Sequence, residues 1–434
     1  MTWRAEYKSK LVTPEYAASF FNSGDVIGMG GGTGIPSAIG KALGARADEL
    51  ENITICQGFA TALHDYMLPQ FKGKFQIQTI FVGPAERMGI EWGTLDFVPN
   101  HLGSMVNWAE AVSPTKGAFV VTPPDERGYM NLSLFAGLVP RQVRERFEVT
   151  FVEVNRHTPW LVSDDFQIHV SEVTGIVEND VAMFEVPEIP ITDVEERIAH
   201  IIADMVPDGA TIQLGLGGLA NAVGHFLKEK RHLGIHSEVF SNSIMELLKC
   251  GAADNSRKSH MPGKSVYTFS VGTRELYDYI DKNEDCVAFE IAYTNDPNVI
   301  AKNDNMVSVN STLMVDLVGQ VASESIGTKQ YSATGGQVNF VLGAQKAKNG
   351  KSILALQSTF EDKNGKLGSR ILPTLPAGTV VTTSRNDVQW IVTEYGAVYL
   401  SNKPISHRVK SLISIAHPDF RDQLTFEAKK IGWI

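Results

Sequence analysis

The chain has 434 residues, 43% of them hydrophobic and 20% charged, and a formal net charge of −10. This composition predicts a soluble globular protein with two or three domains. The negative charge argues against nucleic acid as a partner, because phosphate binding needs a positive field. Three scattered cysteines without a metal-binding spacing argue against a disulfide framework and suit a reducing cytoplasm.

The amino terminus is polar and has no apolar core of the kind that signal peptides carry. No run of about 18 apolar residues follows, so we expect no membrane span. The histidines show no H-E-x-x-H pattern, so we expect no metal site. Together these features predict a cytoplasmic protein.

The first half of the chain begins its sheet with a short apolar strand at residues 25–29. A glycine-rich turn at residues 30–36 leads into a helix from Ser37, and a second strand follows at Ile53–Cys56. Apolar runs at residues 75–82, 117–122 and 149–154 continue the alternation with helical segments. This order is typical of a parallel α/β sheet.

The second half repeats the pattern. A strand at Thr211–Leu214 precedes a turn containing Gly215, Gly217 and Gly218, then a helix, and a further predicted strand carries Glu238. The segment from residue 208 matches the segment from residue 23 through the strand, turn and helix start. We therefore predict two similar open α/β domains, duplicated within one chain. In the first copy, the position that corresponds to Glu238 falls near Cys56, so only the second copy carries the acid.

The boundary between the copies is predicted at the Pro187-Glu-Ile-Pro190 segment, since proline cannot continue a helix or a central strand. A capping-box pattern from Thr192 to Glu195 then opens a helix. These signals place a linker at about 186–192 and predict domains at 1–186 and 192–434.

The Gly215 turn and Glu238 allow two interpretations. The turn fits the GxGxxG/A dinucleotide fingerprint, and Glu238 lies near the offset expected of an acid that binds a ribose. The same turn also offers backbone N–H groups to an oxyanion, with Glu238 as a nucleophile beside them. The spacing alone leaves both interpretations open.

Several separated segments, in this order, resemble the acetyl-CoA hydrolase/transferase family, with the 4-hydroxybutyrate and butyryl/acetate CoA-transferases most similar. The segments are GLGG, IHSE, VNS, SIGTKQYSATGGQVNF, TTSRND, VTEYG and IAHPDF. The resemblance extends along nearly the whole chain and is strongest from Thr192 to Phe420.

The resemblance implies two open α/β domains of the class I CoA-transferase type and a covalent thioester between CoA and Glu238. It implies a CoA and oxyanion site formed by Gln213, Leu214, Gly215, Leu216, Gly217, Asn310, Gly335, Gly336 and Gln337. Glu394 matches a neighbouring acid. Coenzyme A is then a substrate, the partners are an acyl-CoA and a short-chain carboxylic acid, and no metal or redox cofactor is required. A homodimer is expected from the family.

The chain departs from the family pattern at three places. Ala220 stands where a proline is common, Asn242-Ser243 where Asp-Gly is common, and Asn339 where an aspartate is common. These changes leave the reaction class in place and the carboxylate substrate open. An acyl-CoA hydrolase, a non-catalytic nucleotide-binding module and a scaffold subunit are the alternatives.

Overall fold

The computed structural model describes residues 2–186 and 190–434. The chain divides into two compact units, each with its own sheet. The first unit contains residues 1–187 and 266–294, and the second contains residues 188–265 and 295–434. The chain therefore returns to the first unit once before it completes the second.

The first unit contains a seven-stranded sheet in which every neighbouring pair is parallel. Its order is β4-β3-β2-β1-β5-β6-β7. The strands are β1 (Val26–Met29), β2 (Ile53–Cys56), β3 (Phe75–Thr79), β4 (Leu95–Phe97), β5 (Lys116–Val121), β6 (Val149–Val154) and β7 (Gly175–Glu178). The central strands are buried almost throughout, as expected of a parallel sheet covered on both faces.

The helices of the first unit are short. They are Trp3–Ser9, Pro14–Ala18, Ser37–Ala45, Pro84–Trp92, Met105–Val112, Arg141–Arg144, Arg274–Ile280 and Ile291–Thr294. Short strands outside the main sheet are Tyr129–Asn131, Gln167–His169, Phe269–Ser270 and Cys286–Ala288. The strand Ser265–Tyr267 begins in the second unit and ends in the first.

The second unit contains a six-stranded sheet of order β9-β8-β10-β11-β12-β13, parallel except for the last pair. The strands are β8 (Thr211–Leu214), β9 (Gly234–Ile235), β10 (Met306–Ser311), β11 (Lys351–Ala355), β12 (Trp390–Thr393) and β13 (Gly396–Tyr399). Strand β9 therefore forms one edge of this sheet.

Seven helices accompany the second sheet in the described part of the unit. They are Asp193–Met205, Gly218–Phe226, Asn242–Lys249, Pro297–Ile300, Gln337–Lys346, Ile405–Ser414 and Pro418–Ile431. Shorter strands are Val239–Phe240, Met314–Asp316, Val321–Ala322, Ser325–Ile326, Lys329–Gln330, Thr359–Glu361, Leu367–Ser369 and Ile371–Leu372.

Both sheets have the same arrangement around their first strand. The next strand of the chain pairs on one side (β2 or β9) and a later strand pairs on the other (β5 or β10). The strand order therefore reverses at β1 and at β8, which are the switch points where open α/β sheets bind ligands. Ile27 pairs with Ile55, as Ile212 pairs with Ile235, so Gly58 occupies the position that corresponds to Glu238.

The predicted fold class, a duplicated α/β architecture, is confirmed, and the predicted strands at Thr211–Leu214 and Ile53–Cys56 have the observed bounds. The predicted strand through Glu238 was wrong. The residue lies between β9 and the strand Val239–Phe240, because the chain leaves the edge of the sheet after His236. The position answering Glu238 is Gly58, two residues beyond Cys56.

The predicted division at 1–186 and 192–434 does not include the return of residues 266–294 to the first unit. The sequence of such short helices and strands does not indicate which of the two hydrophobic cores they pack against. The predicted linker at about 186–192 falls partly on residues 187–189, which lie outside the described residues. No helix within the described ranges is both long enough and apolar enough to cross a membrane.

Candidate active site

The switch point of the second sheet begins at the end of β8. Gln213 and Leu214 are buried, and the chain then turns through Gly215 and Gly217 into the helix Gly218–Phe226. Gly217 has φ +104°, which glycine tolerates and other residues rarely adopt. Among the described residues, no atom lies within 4 Å of a Cβ placed at Gly215 or Gly217, so the space over the turn is open.

Strand β9 leads Glu238 to this turn. The backbone N–H of His236 donates to the carbonyl oxygen of Ile212 (3.1 Å), which extends the pairing with β8 by one residue. The Ser237 hydroxyl then donates to the carbonyl oxygen of Leu214 (3.1 Å). Glu238 is the next residue, so it lies at the carboxyl edge of the sheet beside the glycine turn.

Asn295 and Gly336 both contact the Glu238 carboxylate. Asn295 Nδ2 donates a hydrogen bond to Glu238 Oε2 over 2.5 Å. The same oxygen lies against Gly336, where an added Cβ would be 1.8 Å from Oε2, 2.6 Å from Asn295 Nδ2 and 2.9 Å from Glu238 Cδ. Only glycine leaves room for the acid at position 336.

The surroundings of Glu238 favour its neutral form. Burial raises the pKa of Glu238 to about 7, and the hydrogen bond from Asn295 opposes that rise. Asn295 is itself fully buried, and its Oδ1 has no hydrogen-bond partner among the described residues. The acid is therefore held by one amide and keeps lone pairs available.

Gln213 and Asn310 form an amide pair across the switch point. Gln213 Nε2 lies 3.3 Å from Asn310 Oδ1, and Asn310 Nδ2 lies 3.3 Å from Gln213 Oε1. Gln337, which follows Gly336, instead donates from Nε2 to the hydroxyl of Thr383 (2.9 Å). Gly335 has φ +53°, another backbone conformation that favours glycine.

Glu394 follows β12 at the same carboxyl edge of the sheet. Its carboxylate accepts hydrogen bonds from the backbone N–H of Ser358 (2.9 Å) and from the Ser358 hydroxyl (2.5 Å). These bonds fix the loop after β11, and they give Glu394 a structural role whatever else it does.

Among the site residues predicted from sequence, the structure therefore places Gly336 in contact with Glu238 and Gln213 in contact with Asn310. Leu216 is 48% exposed at the tip of the turn. Sequence reasoning missed Asn295, because the Asn-Asp-Pro segment that contains it is an ordinary turn signal. Its contact with Glu238 spans 57 residues of chain and has no local signature.

Comparison with known proteins identifies the family. The model of the acetyl-CoA hydrolase/transferase N-terminal domain matches residues 1–188, and that of the C-terminal domain matches residues 272–428. A 4-hydroxybutyrate coenzyme A transferase from Clostridium kluyveri is 40% identical over 99% of this chain and 100% of its own length. The chain belongs to the acetyl-CoA hydrolase/transferase family.

Two further known proteins are similar to this chain over all or nearly all of their length. A succinyl-CoA:cyclohexane-1-carboxylate CoA transferase from Geobacter metallireducens is 39% identical over 100% of this chain and 98% of its own. The crystal structure of RipA from Yersinia pestis has a TM-score of 0.92 at 37% identity and covers 100% of both chains. These matches confirm the predicted family and the predicted enzyme class, CoA-transferase.

Proposed function

We propose that the protein transfers CoA from an acyl-CoA to a short-chain carboxylate, of the 4-hydroxybutyrate, butyrate or acetate type, through a covalent thioester on Glu238. One observation carries the proposal. The Glu238 carboxylate lies against Gly336, with Asn295 as its hydrogen-bond donor. The CoA-transferase relative from Clostridium kluyveri supports the substrate class.

The pKa of Glu238 suits a nucleophile. A carboxylate with a pKa near 7 is substantially ionised at neutral pH, and it is more basic than a carboxylate in water. Its desolvated oxygen is held by a single side-chain donor. Positioning it against a thioester carbonyl contributes roughly 7–11 kcal/mol in well-oriented intramolecular reactions.

The first half-reaction has two steps. A Glu238 oxygen attacks the carbonyl carbon of the acyl-CoA, the C–S bond breaks, and CoA leaves as a thiolate while an acyl-glutamyl anhydride forms. The thiolate then attacks Cδ of Glu238, and the first acid leaves as its carboxylate. The product is a glutamyl-CoA thioester, so the energy of the original thioester is conserved.

The second half-reaction reverses these steps with the incoming acid. Its carboxylate attacks Cδ and releases the thiolate, which attacks the acyl carbon of the new anhydride. Glu238 is regenerated and the new acyl-CoA departs. Kinetics should therefore be ping-pong, and no metal or redox cofactor enters the sequence.

Backbone N–H groups are proposed to hold the negative oxygen. The segment formed by Gln213, Leu214, Gly215, Leu216 and Gly217 is one candidate, since the space at Gly215 and Gly217 is open. Gly335, Gly336, Gln337 and Asn310 are the others. A single oxyanion donor contributes about 3–4 kcal/mol in enzymes where one has been removed. Glu394 is proposed only as a supporting acid.

The test is to trap the intermediate. The protein is incubated with butyryl-CoA and quenched with borohydride, which reduces a glutamyl thioester, or with hydroxylamine, which converts it to a hydroxamate. Peptide mass mapping should place the modification on Glu238. Glu238→Ala should abolish both the label and the exchange of CoA between butyryl-CoA and acetate.

Glu153 offers a matched control, because it is another glutamate whose pKa burial raises to about 7. Glu153→Gln should retain the label and the exchange reaction. A label on another residue, with Glu238→Ala still active, would overturn the assignment.

The alternative activity is hydrolysis, in which water resolves the thioester. Measuring product formation with and without acetate separates the two activities. A transferase forms acetyl-CoA when acetate is added, whereas a hydrolase forms free CoA at the same rate with or without acetate. We further propose a cytoplasmic homodimer, and the division of the chain into domains at 1–186 and 192–434 stays a prediction.

A further inference from the structure

Strand β9, which leads to Glu238, is held differently on its two sides. Gly234 and His236 donate their backbone N–H groups inward, to Ala210 (2.8 Å) and Ile212 (3.1 Å). In a parallel sheet, the backbone N–H and C=O groups of alternate residues of a strand point toward opposite neighbouring strands. The N–H and C=O of Ile235 therefore face away from β8, on the side where the sheet has no further strand among the described residues.

Side chains from one loop satisfy Ile235 instead. The Asn255 side chain accepts the backbone N–H of Ile235 through Oδ1 (2.8 Å). The Lys258 ammonium donates to the carbonyl oxygen of Ile235 (2.8 Å) and to that of Lys264 (2.6 Å). The loop at residues 254–265 thus replaces the missing strand.

Lys258 is unusual for a lysine. It is only 5% exposed, and in the described part of the chain no carboxylate pairs with it. Burial lowers the pKa of Lys258 to about 7. Its stem lies against Gly234, where an added Cβ would be 2.3 Å from Lys258 Cγ. A buried, unpaired lysine costs free energy, so an apolar residue would be expected there unless its two hydrogen bonds matter.

We infer that Lys258 is a positioning residue for Glu238: its ammonium fixes the outer edge of β9, and through it the carboxylate three residues further on. This inference rests on the proposed role of Glu238. The first unit supports it by contrast, because there β2 is flanked on its outer side by a full strand, β3, and needs no such side chain.

The experiment measures how fast Glu238 is labelled. Lys258→Met removes both hydrogen bonds at similar volume, and Lys258→Gln keeps a donor for one of them. Lys228→Met is the control, since Lys228 forms a partly exposed ion pair with Glu246 in the same unit. Each variant is mixed with butyryl-CoA, quenched at intervals with borohydride, and the modified Glu238 peptide is quantified by mass spectrometry.

We expect the labelling rate, normalised to the final labelled fraction, to fall at least tenfold in Lys258→Met and by less in Lys258→Gln. A displacement of about 1 Å at the reacting group can cost roughly 100-fold. KM for butyryl-CoA should stay within about twofold, because Lys258 is buried away from solvent. Lys228→Met should react like the unmodified protein.

A purely structural role would give a different result. The melting temperature and the labelled fraction would fall, while the normalised rate would equal that of Lys228→Met in both Lys258 variants. That outcome overturns the inference even if Lys258→Met folds poorly, since Lys258→Gln decides it alone. Absence of any Glu238 label in the unmodified protein would instead overturn the proposed function.

Discussion

The two sheets have the same switch point, but only the second leaves it open. In the first unit the turn after β1 is filled: an added Cβ on Gly32 would lie 2.3 Å from the ring of Phe135, and the N–H of Gly32 donates to the carbonyl oxygen of Phe59. In the second unit an added Cβ at the corresponding positions, Gly215 and Gly217, would have no described atom within 4 Å apart from those of its chain neighbours and, for a helical glycine, its own helix backbone. Duplicated topology provides two possible sites, and side-chain packing decides which one can take a ligand.

A second contrast involves two carboxylates, Glu153 and the partly buried Glu238, whose pKa burial raises to about 7. Glu153 accepts the backbone N–H of Ala38 (2.9 Å) at the start of the helix Ser37–Ala45, and Asn179 Nδ2 (2.8 Å). Glu238 has the Asn295 amide as its hydrogen-bond donor. The Glu153 carboxylate accepts a backbone N–H at the start of a helix and so caps that helix. The Glu238 carboxylate accepts from the Asn295 side chain and retains lone pairs that can act on a substrate.

The largest loss of activity is expected from a substitution that displaces the Glu238 carboxylate. Gly336→Ala would place a methyl group 1.8 Å from Glu238 Oε2 and must displace the carboxylate. We expect kcat to fall roughly 100-fold or more, given what small misplacements cost. Gly34→Ala is the control in the first unit, where the nearest atom to the new Cβ is 3.8 Å away. Equal activity of the two variants in a CoA-exchange assay would show that Glu238 does not act from this position.

A smaller loss of activity is expected from removing the hydrogen-bond donor of Glu238. Asn295→Ala deletes the hydrogen bond that lowers the pKa of Glu238, so the pKa should rise above about 7. Activity requires the ionised acid, so kcat/KM should increase with pH through about 7 in the unmodified protein and through a higher pH in the variant. We expect a loss of about tenfold at pH 7, from a charge-assisted hydrogen bond of roughly 1.5–3 kcal/mol.

Asn179→Ala supplies the comparison for that pH profile. It removes the equivalent donor from Glu153 in the first unit. The midpoint of its kcat/KM profile should stay where it is in the unmodified protein. An identical midpoint in Asn295→Ala would contradict a catalytic role for the Glu238 carboxylate.

The smallest effect is on stability. The folded pKa of Glu238 lies above its ordinary value of 4.5, so its contribution to stability is complete below pH 4.5 and is lost as pH rises through about 7. The cost above pH 7 is at most about 3 kcal/mol. Glu238→Gln should therefore melt a few degrees above the unmodified protein at pH 8, with the difference disappearing near pH 4.5.

Glu153→Gln should gain less. Burial raises the pKa of Glu153 to about 7 as well, so removing its charge should also raise the melting temperature at pH 8. A glutamine there would turn an NH₂ group toward the donors on Ala38 or Asn179, so part of that gain should be lost. Thermal melts of both variants at pH 5 and pH 8 test the contrast. An equal rise in both would contradict it.

Much of the fold could be predicted because its signals are local. The strands Thr211–Leu214 and Ile53–Cys56 follow from apolar runs that end in glycine turns, and the helix from Asp193 follows from its capping box. The strand predicted through Glu238 failed because β9 is only two residues long at the edge of its sheet. Short edge strands carry too few residues to show a pattern.

The candidate site was predicted in part. Glu238 and the glycine segments were found because the separated motifs occur in the order of a known family. Asn295 and Lys258 were not found, since one lies in an ordinary turn sequence and the other in a polar loop. Each acts through a hydrogen bond to a distant segment, and spacing along the chain gives no sign of it.

The sequence by itself determined the α/β alternation, the duplication, the family and a single candidate nucleophile, because these depend on periodicity, turn chemistry and motif order. Only the tertiary structure decided that Glu238 lies against Gly336, that β9 is an edge strand held by Lys258, and that residues 266–294 join the first unit. The physical reason is that packing joins segments far apart in the chain. Free space, burial and hydrogen-bond partners exist only after those segments meet.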